Sequence, residues 1–147
     1  MAKERFVMPV AVHLFLMKED EVLLLRRYNT GYEDGNYSVV AGHVDGNEDF
    51  ITAMIREAKE EAGITIERQN MIPVQVMHRK KDHEERIDYF LVANQWQGDI
   101  VNMEPNKCDE LKWFNVKDLP KNIIPYIKWG LDNYQQGVQF SQFGWDL

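Results

Sequence analysis

The stretch GHVDGNEDFITAMIREAKEEAGI, residues 42 to 64, constrains this chain more than any other part of it. It carries six acidic side chains, and Glu57, Glu60 and Glu61 crowd together near its end. At about 100° per residue these three occupy one sector of a helix, while Phe50, Met54, Ala58 and Ala62 fill the adjoining sector. The apolar sector has to pack on a partner, and a sheet serves. The acidic sector gains nothing from packing, because like charges three and four residues apart destabilise a helix by roughly 0.2 to 0.5 kcal/mol per pair. A divalent cation would reverse that sign, and oxygen-only ligands suit Mg2+ or Mn2+ better than Zn2+. A solvated acidic face is the alternative, and the helix alone does not decide between them.

The remaining chain supplies the sheet. Residues 7–17 and 21–27 are apolar-rich and read as a hairpin turning at KED, and YSVVAG reads as a short strand after the loop YNTGYEDGNY. Beyond the acidic helix, MIPVQVMHR and RIDYFLVANQW are strand candidates separated by the charged KKDHEE, and LKWF is a last short strand. From about Lys121 to Gln136, Ile123, Ile127, Leu131 and Tyr134 recur at helical spacing. Strands, helix, strands, helix predicts an α/β fold, one mixed sheet with helices on its faces.

A chain of 147 residues with 44% hydrophobic content can bury one core, so residues 1–147 are expected to form one domain. Its formal charge of −7 argues against a nucleic-acid polymer as partner, since phosphate backbones are held by basic patches. A single nucleotide needs only a few local cations. Cys108 is the only cysteine, which excludes an intrachain disulfide and fits a reducing, cytoplasmic setting. The apolar run FVMPVAVHLFLM is too short to span a membrane.

The spacing of the acidic stretch is specific. Gly42, Glu48, Arg56, Glu57, Ala58, Glu60, Glu61, Gly63 and Ile64 match the nine specified positions of G-x5-E-x7-R-E-U-x-E-E-x-G-U, so the chain resembles the Nudix hydrolases. The one departure is Ala58, small where a bulky aliphatic is usual. The resemblance implies an α/β/α sandwich and metal-dependent hydrolysis of a diphosphate linkage in a nucleoside diphosphate derivative. It also implies that Glu57, Glu60 and Glu61 bind Mg2+ or Mn2+, that Glu60 or Glu61 could act as base, and that Arg56 pairs with a glutamate and orients it. Glu48 is either that partner or a supporting ligand. The carbonyl of Ala41, just before the box glycine, is expected to bind metal too, although Val40-Ala41-Gly42 replaces the usual Pro-Gly-Gly.

Other positions are expectations of their own. The family often adds one acid from a remote loop, and Glu104 is the first choice, Asp99 the second, with Asp109 and Glu110 as surface charges. Glu84 and Glu85 compete from the HRKKDHEER segment, which could instead be a mobile cover bringing Arg79, Lys80 or Lys81 to phosphate. His43 could touch phosphate. Arg26 and Arg27 end a strand, so alternation lets at most one face the site. Tyr28, Tyr32 and Tyr37 could stack on a base. Phe140, Phe143 and Trp145 could cap the core, line a pocket or make a homodimer contact, and His13 reads as a core histidine.

The function expected is hydrolysis of a (deoxy)nucleoside triphosphate to monophosphate and pyrophosphate, of the MutT-like kind. ADP-ribose or a nucleotide sugar is the alternative substrate. A non-catalytic nucleotide-binding module is the alternative class, disfavoured because the box glutamates are all present.

Overall fold

The computed structural model describes residues 3–146. Its elements in chain order are β1 (Val10–Lys18), β2 (Glu21–Arg27), β3 (Tyr37–Ser38), β4 (Val40–His43), α1 (Phe50–Ala62), β5 (Ile72–Lys81), β6 (Glu84–Ala93), β7 (Cys108–Asn115), α2 (Pro125–Gln135) and β8 (Phe140–Phe143). They form an eight-stranded mixed sheet between the two helices, the α/β/α sandwich expected.

β1 explains the layering. Residues 11 to 16 are all buried, so both faces of the strand are covered and the alternation of a half-exposed strand is lost. Val12, Leu14, Leu16 and Leu91 pack with Met54, Ala58 and Ala62 of α1. Phe15, Met77 and Phe90 pack with Ile127 and Leu131 of α2 on the opposite face.

β1 also makes the fork that opens the site. Its first half pairs antiparallel with β4 and parallel with β6, whereas its last two residues pair with β2. β2 continues with β3 and β7 into the other half of the sheet. A cleft therefore opens between β4 and β2, with β7 beside it.

Several expectations change in detail. YSVVAG is not one strand: β3 pairs with β2, and β4 pairs with β1, because the chain crosses the fork there. KKDHEE does not separate the strands as a whole, and the HRKKDHEER segment is strand and turn. β5 and β6 run through it to a turn at Asp82 and His83, with Asp82 at φ 56. The strand expected at LKWF is longer, β7 beginning at Cys108. α2 starts at Pro125, where the fixed φ and missing N–H suit a first helical turn. The tail adds an unforeseen edge strand, β8, parallel to β5. Phe143 packs on the α2 side of the core, Phe140 is exposed, and Trp145 packs against His78 and donates to its carbonyl.

Candidate active site

α1 presents its acids to the cleft because both ends are pinned. Asp49 caps the first turn by accepting from the Thr52 N–H at 2.8 Å, and Arg68 ties Asp49 and Thr52 together. Gly63 closes the last turn in the left-handed region at φ 72, its N–H donating to Lys59. Ala53, Ala58 and Ala62 are fully buried, so small side chains let the helix sit close to the sheet. Ala58, the departure from the motif, is thus a packing residue.

The close approach places Glu57 against Gly42 of β4. A methyl group at Gly42 would overlap the Glu57 carboxylate and lie 2.7 Å from its Oε2. Gly42 is therefore needed for space. One turn on, Glu61 Oε1 accepts from the Ala41 N–H at 3.5 Å. Burial, with the Glu57 carboxylate beside it, pushes Glu61 well above the usual carboxylate range.

Arg56 lies across the same face. It donates to Glu48 at 2.7 and 3.2 Å, to Glu57 at 2.8 Å, to Glu60 at 3.3 Å and to the His43 carbonyl at 3.2 Å. Glu48 in turn accepts from the Asp45 N–H at 2.9 Å, and these bonds, Arg56 first, hold its carboxyl below the usual range. Glu48 is the ion-pair partner of Arg56, one of the two roles left open for it.

A cavity of about 500 Å³ joins these groups. Ala41, Gly42, His43, Glu57, Glu60, Glu61 and Glu104 line it, and Arg27, Arg79, Arg86 and Lys107 contribute the cationic lining. Glu104 is brought there by its loop docking on the end of α1: Val101 N–H donates to Ala62 O and Met103 N–H to Glu61 O. Asn102 then fixes the turn, accepting from the Glu104 N–H at 3.1 Å and donating to Cys108 O at 2.6 Å. Asp99 does not line the cavity.

Two expected substrate contacts fall elsewhere. A bulge separates Arg26 from Arg27, and Arg26 pairs with Asp109 at 2.8 Å outside the cavity. Tyr37 is buried against Phe114, its hydroxyl donating to Glu110 at 2.6 Å, so it belongs to the core. Asp109 and Glu110 are thus ion-pair and hydrogen-bond partners within a strand. Arg27 does line the cavity, held by Thr30 and the Tyr32 carbonyl. Tyr32 lines it too, and Tyr28 does not.

His13 is the core histidine expected, and it also lines the cavity. His13 is buried and stacked on Phe90, and its Nε2 lies 3.0 Å from the Tyr126 hydroxyl. Burial lowers its pKa to about 4, so it is neutral near pH 7. Its Nδ1 is the one buried side-chain polar atom without a partner among the described residues. Arg86 and Tyr126 carried no signal of their own. The signal for Arg86 was positional, since it mirrors Arg79 across the Asp82–His83 turn.

The donor set fits a hard divalent cation: Glu57 and Glu61 carboxylates under the Ala41 carbonyl strand, all oxygen. Among the described residues no three His, Cys, Asp or Glu side chains already converge on one point. Glu60, exposed and drawn to Arg56, would have to turn away from it to contribute.

Comparison with known proteins agrees with this geometry. The NUDIX domain model matches residues 7–131. The chain belongs to the Nudix family. Among curated Nudix relatives, the NAD-capped RNA hydrolase NudC of Pseudomonas putida (strain GB-1) is 31% identical over 107 residues, covering 73% of this chain and 36% of that protein. NudC of Escherichia coli O9:H4 (strain HS) is 27% identical over 120 residues, 80% of this chain and 44% of that protein. The chain thus spans less than half the length of these relatives. A MutT NUDIX hydrolase from Burkholderia pseudomallei is similar in structure, with TM-score 0.78 and 25% identity, covering 86% of this chain and 98% of that one. A MutT protein from Methanosarcina mazei Go1 shares the fold, with TM-score 0.73 at 20% identity over 88% of this chain and 94% of that one. Among the described residues no helix is long and apolar enough to cross a membrane.

Proposed function

We propose that this Nudix chain is a divalent-metal-dependent pyrophosphohydrolase acting on a nucleoside diphosphate derivative, in first place a (deoxy)nucleoside triphosphate. Water adds its oxygen to phosphorus, the phosphoanhydride P–O bond breaks, and monophosphate and pyrophosphate leave. The observation that carries this reading is one cavity lined both by Glu57 and Glu61, which stand against the Ala41–Gly42 backbone, and by three arginines.

Mg2+ or Mn2+ held by Glu57, Glu61 and the Ala41 carbonyl, with Glu60 as a further ligand, would neutralise phosphoryl oxygens and activate water near neutral pH. Arg56 holds Glu57 in place, and Glu48 holds Arg56. Glu104 reaches the same cavity from another loop and is the candidate base outside the box. Arg27, Arg79 and Arg86 supply forked donors matched to phosphate oxygens. His43 borders the same space.

A second reading is favoured by the relatives, whose names state hydrolysis of NAD-capped RNA for themselves: a substrate with an NAD-type diphosphate bridge. The deciding experiment incubates the full chain with Mg2+ or Mn2+ and canonical and oxidised nucleoside triphosphates, ADP-ribose, nucleotide sugars, NAD and NAD-capped RNA, with products resolved by chromatography. Release of pyrophosphate from a triphosphate is expected. Turnover of NAD alone would replace the first reading with the second, and binding without turnover of any member would leave a nucleotide-binding module.

A further inference from the structure

Arg79 of β5 and Arg86 of β6 are directly opposed in the antiparallel ladder. Opposed residues share a face, and like charges so placed destabilise a sheet. Both line the cavity. Arg79 is only 6% exposed, and a buried ion pair contributes little to stability compared with apolar packing of the same volume. The fold itself therefore gains little from this arrangement, as it gains little from the crowded acids of α1.

The pair is built as a binding group. Arg79 donates from Nε to Asp88 Oδ2 at 2.6 Å and from Nη2 to Asp88 Oδ1 at 3.4 Å. The Tyr126 ring lies beneath the guanidinium, 3.6 Å from its centroid to the central carbon. Asp88 and Tyr126 fix the plane of the fork and leave Nη1 without a hydrogen bond. Nη1 is not sealed from solvent, since the one sealed and unpaired side-chain atom among the described residues is in His13. Asp88 compensates only one of the two arginines, and Arg86 reaches only the exposed Glu84, at 3.5 Å. Positive charge is left over, and Arg27 adds to it from β2.

Its position relative to the acids is set by the sheet. β4, β1, β6 and β5 lie side by side, and Ala41 shares a row with His13, Phe90 and Gln75, so Arg79 stands three strands across and four residues along from Ala41, on the order of 19 Å between backbones. Acids and arginines nevertheless line one cavity.

We propose that Arg79 and Arg86, assisted by Arg27, hold the terminal phosphate of a phosphate chain whose scissile linkage lies at the acids, so that the site selects substrates ending in a free phosphate over bridged diphosphates. Asp88 and Tyr126 are positioning residues for Arg79. The proposal rests on the hydrolase reading for where the bond breaks, but its central claim, an anion subsite, can be tested without turnover.

The test is calorimetric titration of the full chain with inorganic tripolyphosphate in the presence of chelator. Arg86→Gln, which removes a half-exposed side chain, and Arg79→Lys, which leaves a cation beside Asp88 but removes the fork, should each weaken binding roughly tenfold or more. Lys128→Gln on α2, away from the cavity, should change it by no more than about twofold. Mn2+ binding should be unaltered in all three. Equal tripolyphosphate binding by the parent and both arginine variants overturns the proposal, as does failure of the parent to bind. So does an oligonucleotide with a 5′-hydroxyl binding as tightly as tripolyphosphate, which would mean recognition of phosphodiesters instead of a terminal phosphate. Failure of the hydrolase reading looks different: no Mn2+ binding and no turnover, with the arginine dependence of tripolyphosphate binding intact.

Discussion

Gly42→Ala should separate activity from stability. Gly42 lies in an extended strand, so alanine meets no backbone strain there, and the three atoms nearest to its methyl group all belong to the Glu57 carboxylate. Carbon atoms rest at about 3.5 to 4.0 Å, so the carboxylate has to retreat by roughly 1 Å or more to restore ordinary contact. It is the free end of a flexible side chain, and the retreat is cheap: the cost is the weakened 2.8 Å bond to Arg56, already shared with Glu48 and Glu60. A loss of no more than about 1 kcal/mol in stability follows for a partly exposed charged hydrogen bond. A 1 Å misplacement of a metal-ligating group should by contrast lower turnover about 10²-fold. Thermal melts in chelator and steady-state turnover of the best substrate, on one preparation, check both. Parental turnover in Gly42→Ala would refute the reasoning, since it would show that Glu57 need not stand where Gly42 lets it stand. A collapse of stability would refute the claim that only a side-chain tip is displaced.

Three further outcomes are expected. Glu61→Gln removes a buried negative charge beside Glu57, so the metal-free protein should melt no lower than the parent while turnover falls by between about 10² and 10⁴; parental turnover would remove Glu61 from the mechanism. Glu104→Gln should reduce turnover about 10²-fold or more with little change in melting temperature, and Asp99→Asn should not; the reverse order would mean that the other acid serves. Because burial lowers the His13 pKa from 6.5 to about 4, the unfolded chain takes up that proton first, so this contribution to stability is present above pH 6.5 and is lost as pH falls towards 4, by roughly 3 kcal/mol. Urea midpoints across that range should fall for the parent and flatten for His13→Asn, and identical profiles would show that His13 does not titrate this way.

The parts of the fold legible in the sequence are those set by short-range pattern. The β1–β2 hairpin, α1 and the β5–β6 pair follow from periodicity and turn chemistry within a few residues of each element. β8 was missed because FSQF alternates weakly and gains its place only by pairing with β5, some sixty residues earlier. The candidate site divides in the same way. Glu57, Glu60 and Glu61 share a face by helical spacing alone. Glu104 was reachable only as a polar residue in the right loop, since its position depends on Val101 and Met103 bonding to the end of α1. Arg26 and Arg27 could be split by alternation, but which one faces the cavity depends on a bulge and on Asp109, which no local signal reveals. Arg79 is legible as a phosphate candidate within HRKKDHEER, but Arg86 is not, because the charged KKDHEE reads as a broad separator between the strands. Once it narrows to Asp82 and His83, the two arginines fall opposite each other.

The spacing of the motif itself becomes a set of distances. Seven residues between Glu48 and Arg56 let a loop glutamate, fixed by the Asp45 N–H, meet an arginine on the second turn of α1. One residue further, Glu57 meets the space that Gly42 leaves. Another turn brings Glu61 to the Ala41 N–H, and Gly63 and the buried Ile64 then end the helix. Arg56 is the counter-charge that lets this many acids share one face while no cation is bound. That gives Arg56 two opposed duties: its bond to Glu57 aids a metal by fixing a ligand, and its bond to Glu60 competes with a metal for one. Arg56→Lys keeps the charge but loses the fork that serves Glu48, Glu57 and Glu60 together. It should therefore weaken catalysis through disorder of Glu57 more than it weakens the fold. An Arg56→Lys enzyme with parental turnover would show that charge alone, without the fixed geometry, is what the acidic face requires.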